Sequence, residues 1–261
     1  MAGTRGTPAW VAVEGAANVR DLGGLALRDG GATASCVLLR ADNLQGLTEH
    51  DVALLVDGLG VGVIVDLRTE AEIHLEGPGP LVLDGRVAIR ERSLLPKAGA
   101  RTDAAILPWQ GRRLENDPGE TPRVRAYLGY LRDRPDSVVA ALRDIAYADA
   151  GVLVHCAAGK DRTGVVCALA LEAVGVRRDA VIEDYVATGD RLDALLARLR
   201  ASTTYAADLH GRPAESHLPH PETMARLLAV LDERHGGARG WLSDHGFDAG
   251  EVEALRRRLA Q

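Results

Sequence analysis

Ten residues constrain this chain more than any others: His155-Cys156-Ala157-Ala158-Gly159-Lys160-Asp161-Arg162-Thr163-Gly164. They follow the short apolar run Gly151-Val152-Leu153-Val154 and precede an amphipathic stretch, Val165 through Val174. The order predicts strand, tight loop, helix. A loop that opens a helix aims several backbone N–H groups at one spot, where the helix dipole also favours negative charge. A cysteine begins this loop and an arginine stands six residues on, so the concavity can hold a phosphate against a thiolate.

Each residue type suits that chemistry. A helix N-terminus and nearby cations lower a thiol's pKa from its usual ~8.5, which would make Cys156 a thiolate nucleophile. Arg162 offers a planar fork that grips two phosphoryl oxygens at once. Gly159 and Gly164 allow backbone angles and close approaches that a Cβ would obstruct. Thr163 is placed to donate its hydroxyl to the cysteine sulfur, and His155 to order the loop by hydrogen bonds. Cys156 and Arg162 are thus the catalytic candidates, with His155, Ala157, Ala158, Gly159, Lys160, Thr163 and Gly164 forming the substrate-binding loop. Cys-x5-Arg alone would be a weak signal; the full string with its strand and helix context is strong. Cys36 and Cys167 have no arginine six positions on and read as small core residues.

Two aspartates compete for the general-acid role. Asp161 lies inside the loop, where it can protonate a leaving oxygen directly; its alternative is a loop-stabilising carboxylate paired with a backbone N–H or with Arg20. Asp66 ends the apolar run Val61–Val65, and strand carboxyl ends share the ligand edge of an open α/β sheet. Asp66 reads equally well as a strand-end cap or the partner of Arg68. Lys160 stands out because only it and Lys97, among 31 basic residues, are lysine. It either reaches a second substrate phosphate or is a solvent-facing charge that lowers the thiol pKa.

The string His-Cys-x-x-Gly-Lys-Asp-Arg-Thr-Gly resembles the phosphate loop of cysteine-dependent tyrosine and lipid phosphatases, most of all their bacterial group. Asn18-Val19-Arg20-Asp21-Leu22-Gly23-Gly24, Leu39-Arg40-Ala41-Asp42, Val65-Asp66-Leu67-Arg68 and Gly240-Trp241-Leu242-Ser243-Asp244-His245-Gly246 resemble further blocks of that group. The likeness spans nearly the whole chain and fails between about 93 and 121. It implies a metal-independent, cofactor-free phosphomonoesterase acting on phosphotyrosine, with phosphoserine, phosphothreonine and phosphoinositides as further substrates, through a cysteinyl-phosphate intermediate. It also implies a helical lid over the site. The Pro/Gly/Arg-rich stretch of about 96–121 suits a lid or a disordered surface insertion, since long unstructured connections are usually mobile or functional.

The rest of the chain frames one catalytic domain over 1–261. Alternating elements predict an α/β fold: a central, largely parallel sheet flanked by helices, with a helical C-terminal half. Expected strands are 35–40, 61–66, 87–94 and 152–155. Helices are expected over 48–57, 122–132, 137–147, 178–188, 190–201, 221–235 and 250–260. Asp184, Tyr185, Tyr127 and Tyr130 read as core or supporting residues. His210, His217 and His220 lack the spacing of a metal site. A net charge of −6 gives no support for nucleic-acid partners. No apolar run approaches the ~20 residues of a membrane span. Residues 1–8 carry no apolar signal core, and three cysteines suit a reducing compartment. A cytoplasmic enzyme is expected, although the sequence is compatible with export by a signal-less route. Two other readings are a catalytically silent phosphate-binding module and a sulfurtransferase.

Overall fold

The computed structural model describes residues 9–96, 117 and 119–261. The stretch of about 96–121, expected to be a lid or an insertion, lies almost wholly outside them. The described strands are β1 (Ala9–Trp10), β2 (Arg20–Asp21), β3 (Leu38–Ala41), β4 (Val61–Asp66), β5 (Ala88–Glu91) and β6 (Gly151–His155). They form one sheet in the order β1-β2-β3-β6-β4-β5. β3, β6, β4 and β5 run parallel, while β1 and β2 add an antiparallel edge.

β6 is central and buried along its length, which is why its sequence is a continuous apolar run rather than an alternation. Val152 and Val154 enter the larger core, and Leu153 enters the core on the opposite face. His155 is in register with both Ala41 and Asp66. The chain leaving β6 therefore emerges between the ends of β3 and β4.

The helices are α1 (Glu49–Ala53), α2 (Glu70–Glu76), α3 (Pro80–Asp84), α4 (Pro122–Asp133), α5 (Pro135–Ala146), α6 (Asp161–Val174), α7 (Arg178–Ala187), α8 (Leu192–Ala201), α9 (Ala206–Leu209), α10 (Pro221–His235), α11 (Ala238–Asp244) and α12 (Ala249–Leu259). Residues of α4, α5, α6, α10 and α12 fill the larger core, and residues of α1 and α3 contribute to the smaller. None of the described helices is long and apolar enough to cross a membrane.

Several expected boundaries move for local reasons. The first strand begins at Leu38 rather than 35, because Cys36 takes a left-handed turn with its N–H held by Asp21 Oδ2 at 2.8 Å. Cys36 is half-buried, while Cys167 is fully buried as expected. The helix over 48–57 keeps α geometry only to Ala53 and continues as one wider turn, Leu54–Gly58. The helix of 190–201 begins with a tighter turn, Thr188–Arg191. The C-terminal half is helical but broken by the connection between α8 and α10.

Candidate active site

β6 ends at His155 and α6 begins at Asp161, so Cys156–Lys160 is the intervening loop. Lys160 occupies the N-cap position, and no side chain among the described residues caps α6. Its first N–H groups are left for a ligand. Three donors hold the loop's carbonyls from outside: Asn43 N–H to Ala157 O at 3.0 Å, Asn18 Nδ2 to Ala158 O at 3.0 Å, and Arg40 Nη2 to Gly159 O at 2.6 Å. Three successive loop carbonyls, those of Ala157, Ala158 and Gly159, are thus engaged by donors outside the loop. The donors are themselves fixed. Asp184 bonds Arg20 Nε at 2.8 Å and Arg40 Nη1, and Arg20 also donates to Asn18 Oδ1.

Gly159 has a φ of +62°, and a Cβ there would lie 2.3 Å from the Ala41 carbonyl oxygen. Left-handed strain and overpacking together should cost Gly159→Ala about 2–5 kcal/mol. We expect its thermal midpoint to fall by at least ~4 °C, with kcat/KM falling alongside. An unchanged midpoint in a melting curve would contradict this packing of the loop on β3.

Cys156 is 2% exposed and Arg162 8% exposed. The Arg162 fork is taken by Glu72, with Nη1 to Oε2 and Nη2 to Oε1 both 2.7 Å, and Nη1 also reaches Leu67 O at 3.2 Å. These bonds leave Nε–H and one Nη2 hydrogen for phosphoryl oxygens. Glu72 is itself placed by helix formation: it is the third residue of α2 and closes a capping box with Thr69. Burial opposes its charge, but Arg162 wins and holds the carboxyl below its usual range. The expected Thr163 bond to sulfur is not made; its buried hydroxyl finds no hydrogen-bond partner among the described residues.

Asp66 is bound to Arg68, with Nη2 to Oδ2 at 2.7 Å and Nε to both oxygens at 3.0 Å. Burial pushes His155 down to about 4, so the imidazole is neutral at pH 7. It sits 3.5 Å from Asp66 Oδ2 and 3.3 Å from Cys156 O. Burial also opposes the Asp66 charge. With His155 neutral, Arg68 is the cation that keeps this carboxylate ionised near pH 7.

Asp161 pairs with neither a backbone N–H nor Arg20. Tyr127 donates its phenol to Asp161 Oδ1 at 2.5 Å, and Lys160 Nζ lies 3.6 Å from Oδ2. Burial works against the carboxylate, but Lys160, Arg123 and the phenol outweigh it and hold Asp161 below its usual range. Lys160 is not a solvent-facing charge: it is 4% exposed and donates to His217 O at 2.7 Å. Burial pushes its ammonium below the usual range. Among the described residues no three His, Cys, Asp or Glu side chains are grouped to hold a metal.

The geometry unites a buried cysteine, an arginine fork and a carboxylate around the loop that opens α6. A family model for the tyrosine phosphatase family matches residues 11–261, nearly the whole chain. The chain belongs to the tyrosine phosphatase family. It is 31% identical to the triple specificity protein phosphatase PtpB of Mycobacterium tuberculosis, over 93% of this chain and 96% of that protein. It is 29% identical to a tyrosine-protein phosphatase of Nostoc commune, over 85% of this chain and 74% of that one. Family and relatives support phosphotyrosine hydrolysis, and they set the sulfurtransferase reading aside.

In this tyrosine phosphatase the loop is roofed by elements the sequence did not place there. Leu192, Leu195, Leu196 and Leu199 make one face of α8 and, with Tyr205 and Leu209, cluster against Ala157 and Ala158. Each fully buried leucine contributes roughly 1.5–3 kcal/mol before entropy. Beyond α9, a tight turn over Ala214–His217 meets two cations. Lys160 takes His217 O, while Arg123 donates to Leu218 O at 2.5 Å and Ser216 O at 2.7 Å. Glu72 is the functional residue the sequence reading missed. Its available signal was the Thr69-x-x-Glu72 spacing just after Asp66-Leu67-Arg68.

Proposed function

We propose that this tyrosine phosphatase works through a metal-independent cysteinyl-phosphate intermediate. The Cys156 sulfur attacks phosphorus in line while Arg162 and the loop N–H groups hold the equatorial oxygens. The S–P bond forms as the P–O bond breaks, and Asp161 gives its proton to the leaving oxygen. Water then attacks phosphorus and passes a proton to the Asp161 carboxylate. The S–P bond breaks, releasing phosphate and restoring the thiolate. The observation that carries this reading is the outward pinning of the loop carbonyls by Asn18, Arg40 and Asn43, above an uncapped α6. Asp66, engaged through both oxygens by Arg68, supports the loop through His155 and is not the acid. Protonation of Asp161 on binding follows from the substrate dianion, whose charge offsets the cations that hold the free carboxylate ionised.

The substrate range extends beyond phosphotyrosine on this reading. PtpB is by its name a triple specificity phosphatase, and the same breadth here takes in phosphoserine, phosphothreonine and phosphoinositides. With Cys156 almost wholly buried, the roof from α8 through residue 218 must move for any of them to enter. That movement releases Lys160 from His217 O, freeing a cation for a second phosphate. Three free cysteines suit a reducing, cytoplasmic setting.

The test is steady-state hydrolysis of phosphotyrosine, phosphoserine and phosphatidylinositol phosphate substrates, with chelator present, by wild type and Lys160→Ala. We expect Lys160→Ala to lower the phosphoinositide rate about tenfold more than the phosphotyrosine rate. An unchanged ratio would remove the second-phosphate role. Phosphate binding without turnover of any substrate would favour the silent module.

A further inference from the structure

The acid reading of Asp161 has a supporting structure in α4 and α7. Tyr127 has one hydroxyl hydrogen, and the ionised Asp161 can only accept, so that hydrogen is committed to Oδ1. The Tyr185 hydroxyl lies 2.8 Å from the Tyr127 hydroxyl. With Tyr127's own hydrogen spent, Tyr185 must be the donor of that bond. Arg123, whose fork holds Leu218 O and Ser216 O, is a further cation acting on the Tyr185 phenol. The donation runs in one direction: Tyr185 to Tyr127, to Asp161. Both tyrosines are buried, and their rings meet edge-on at 6.3 Å.

We propose that Tyr127 is a positioning residue for the general acid: its phenol fixes Asp161 Oδ1, leaves Oδ2 as the oxygen that carries the catalytic proton, and favours return of the carboxylate after each transfer. This rests on Asp161 being the acid. Other groups also act on that carboxylate and set the background: Lys160 from the loop, Arg162 from α6, Arg123 and Tyr130 from α4, Tyr185 from α7, and His217 from the turn above. Lys160, near Oδ2, is the only cation of this set within 4 Å among the described ion pairs. Tyr127 therefore divides the labour between the two oxygens. One is tied down by a neutral phenol and the other faces the Lys160 ammonium.

The experiment compares the pH dependence of kcat, which reports the acid in the substrate complex, for wild type, Tyr127→Phe and Tyr185→Phe, on phosphotyrosine peptide and on an aryl phosphate with a strongly acidic phenol. Removing a hydrogen bond that stabilises the carboxylate makes Asp161 easier to protonate. The high-pH limb reporting the acid should move up by about one unit in Tyr127→Phe, a tenfold change in that proton equilibrium. Tyr185→Phe should move it the same way by less. The rate at the optimum should fall about tenfold on phosphotyrosine but barely on the activated aryl ester, whose leaving group needs no proton. A uniform loss on both substrates with the limb unmoved would overturn the proposal, and would mark Tyr127 as packing alone. Asp161→Asn separates this from failure of the acid reading. If Asp161→Asn keeps the limb and the phosphotyrosine rate, Asp161 is not the acid and the proposal falls with it. If Asp161→Asn abolishes the limb while Tyr127→Phe leaves it in place, only the role of Tyr127 is lost. Should Tyr127→Phe lose its native melting transition, Tyr185→Phe decides by the same limb.

Discussion

Cys156→Ser is expected to lower phosphotyrosine turnover by about 10⁴-fold or more, while phosphopeptide binding stays within a few-fold of wild type. A serine hydroxyl does not ionise near neutral pH, so the S–P bond has no replacement. The groups proposed to hold the phosphoryl oxygens, Arg162 and the loop N–H donors, are untouched. Single-turnover kinetics and isothermal titration with a phosphotyrosine peptide would check both halves. A serine variant that kept a tenth of the wild-type rate would end the thiolate mechanism. Loss of binding together with rate would show instead that the sulfur helps to shape the loop.

Glu72→Ala should be the most damaging substitution outside the loop. It leaves the buried Arg162 guanidinium without its anion, and breaking a buried pair in this way costs about 3–5 kcal/mol. For a chain of this size that is a drop in thermal midpoint of roughly 6–20 °C. The capping box of α2 goes with it. Arg162, released from its bidentate hold, should lose phosphoryl alignment and lower kcat/KM by about a hundredfold. The pH dependence has a definite sign. The folded protein holds Glu72 below its unfolded value of about 4.3. Its stabilising contribution is therefore fully present above that value and is lost as pH falls through the depressed folded value. The stability gap between wild type and Glu72→Ala should be widest at neutral pH and close in acid, as urea denaturation at several pH values would reveal. A gap that did not vary with pH would mean that Glu72 acts by packing rather than by charge.

Some of this was legible in the sequence because its causes are local. β4 is largely β-branched and apolar, and its bounds, Val61–Asp66, fall where the pattern puts them. α10 begins at Pro221 and ends before Gly236, an ordinary N1 proline and left-handed C-cap. The strand, loop and helix around Cys156 announce themselves through glycine and apolar spacing. Other features depend on pairings that periodicity does not carry. Glu72 and Arg162 are 90 positions apart, and α2 is too short and too polar to read as a buried element. β1 and β2 are two residues each. The apolar face of α8 was visible, but nothing in its spacing says that it packs on Ala157 and Ala158. The alternative to an acid role paired Asp161 with a backbone N–H or Arg20. Asp161 meets Tyr127 because Arg20 is spent on Asn18 and Asp184 in the folded protein.

The hub at Asp184 also bears on when the enzyme comes into being. The Gly159 carbonyl is gripped by Arg40, 119 positions earlier, and Arg40 is held by Asp184, 144 positions after it. Arg20 reaches forward 164 positions to the same carboxylate. Contacts this distant in sequence close late, because loop entropy must be overcome first. As a chain emerges from the ribosome, Cys156 and Arg162 are made before α7, the helix whose Asp184 holds Arg20 and Arg40. A partly synthesised chain thus holds a cysteine with no organised loop around it, and the loop is fixed only once Arg20, Arg40 and Asp184 have met.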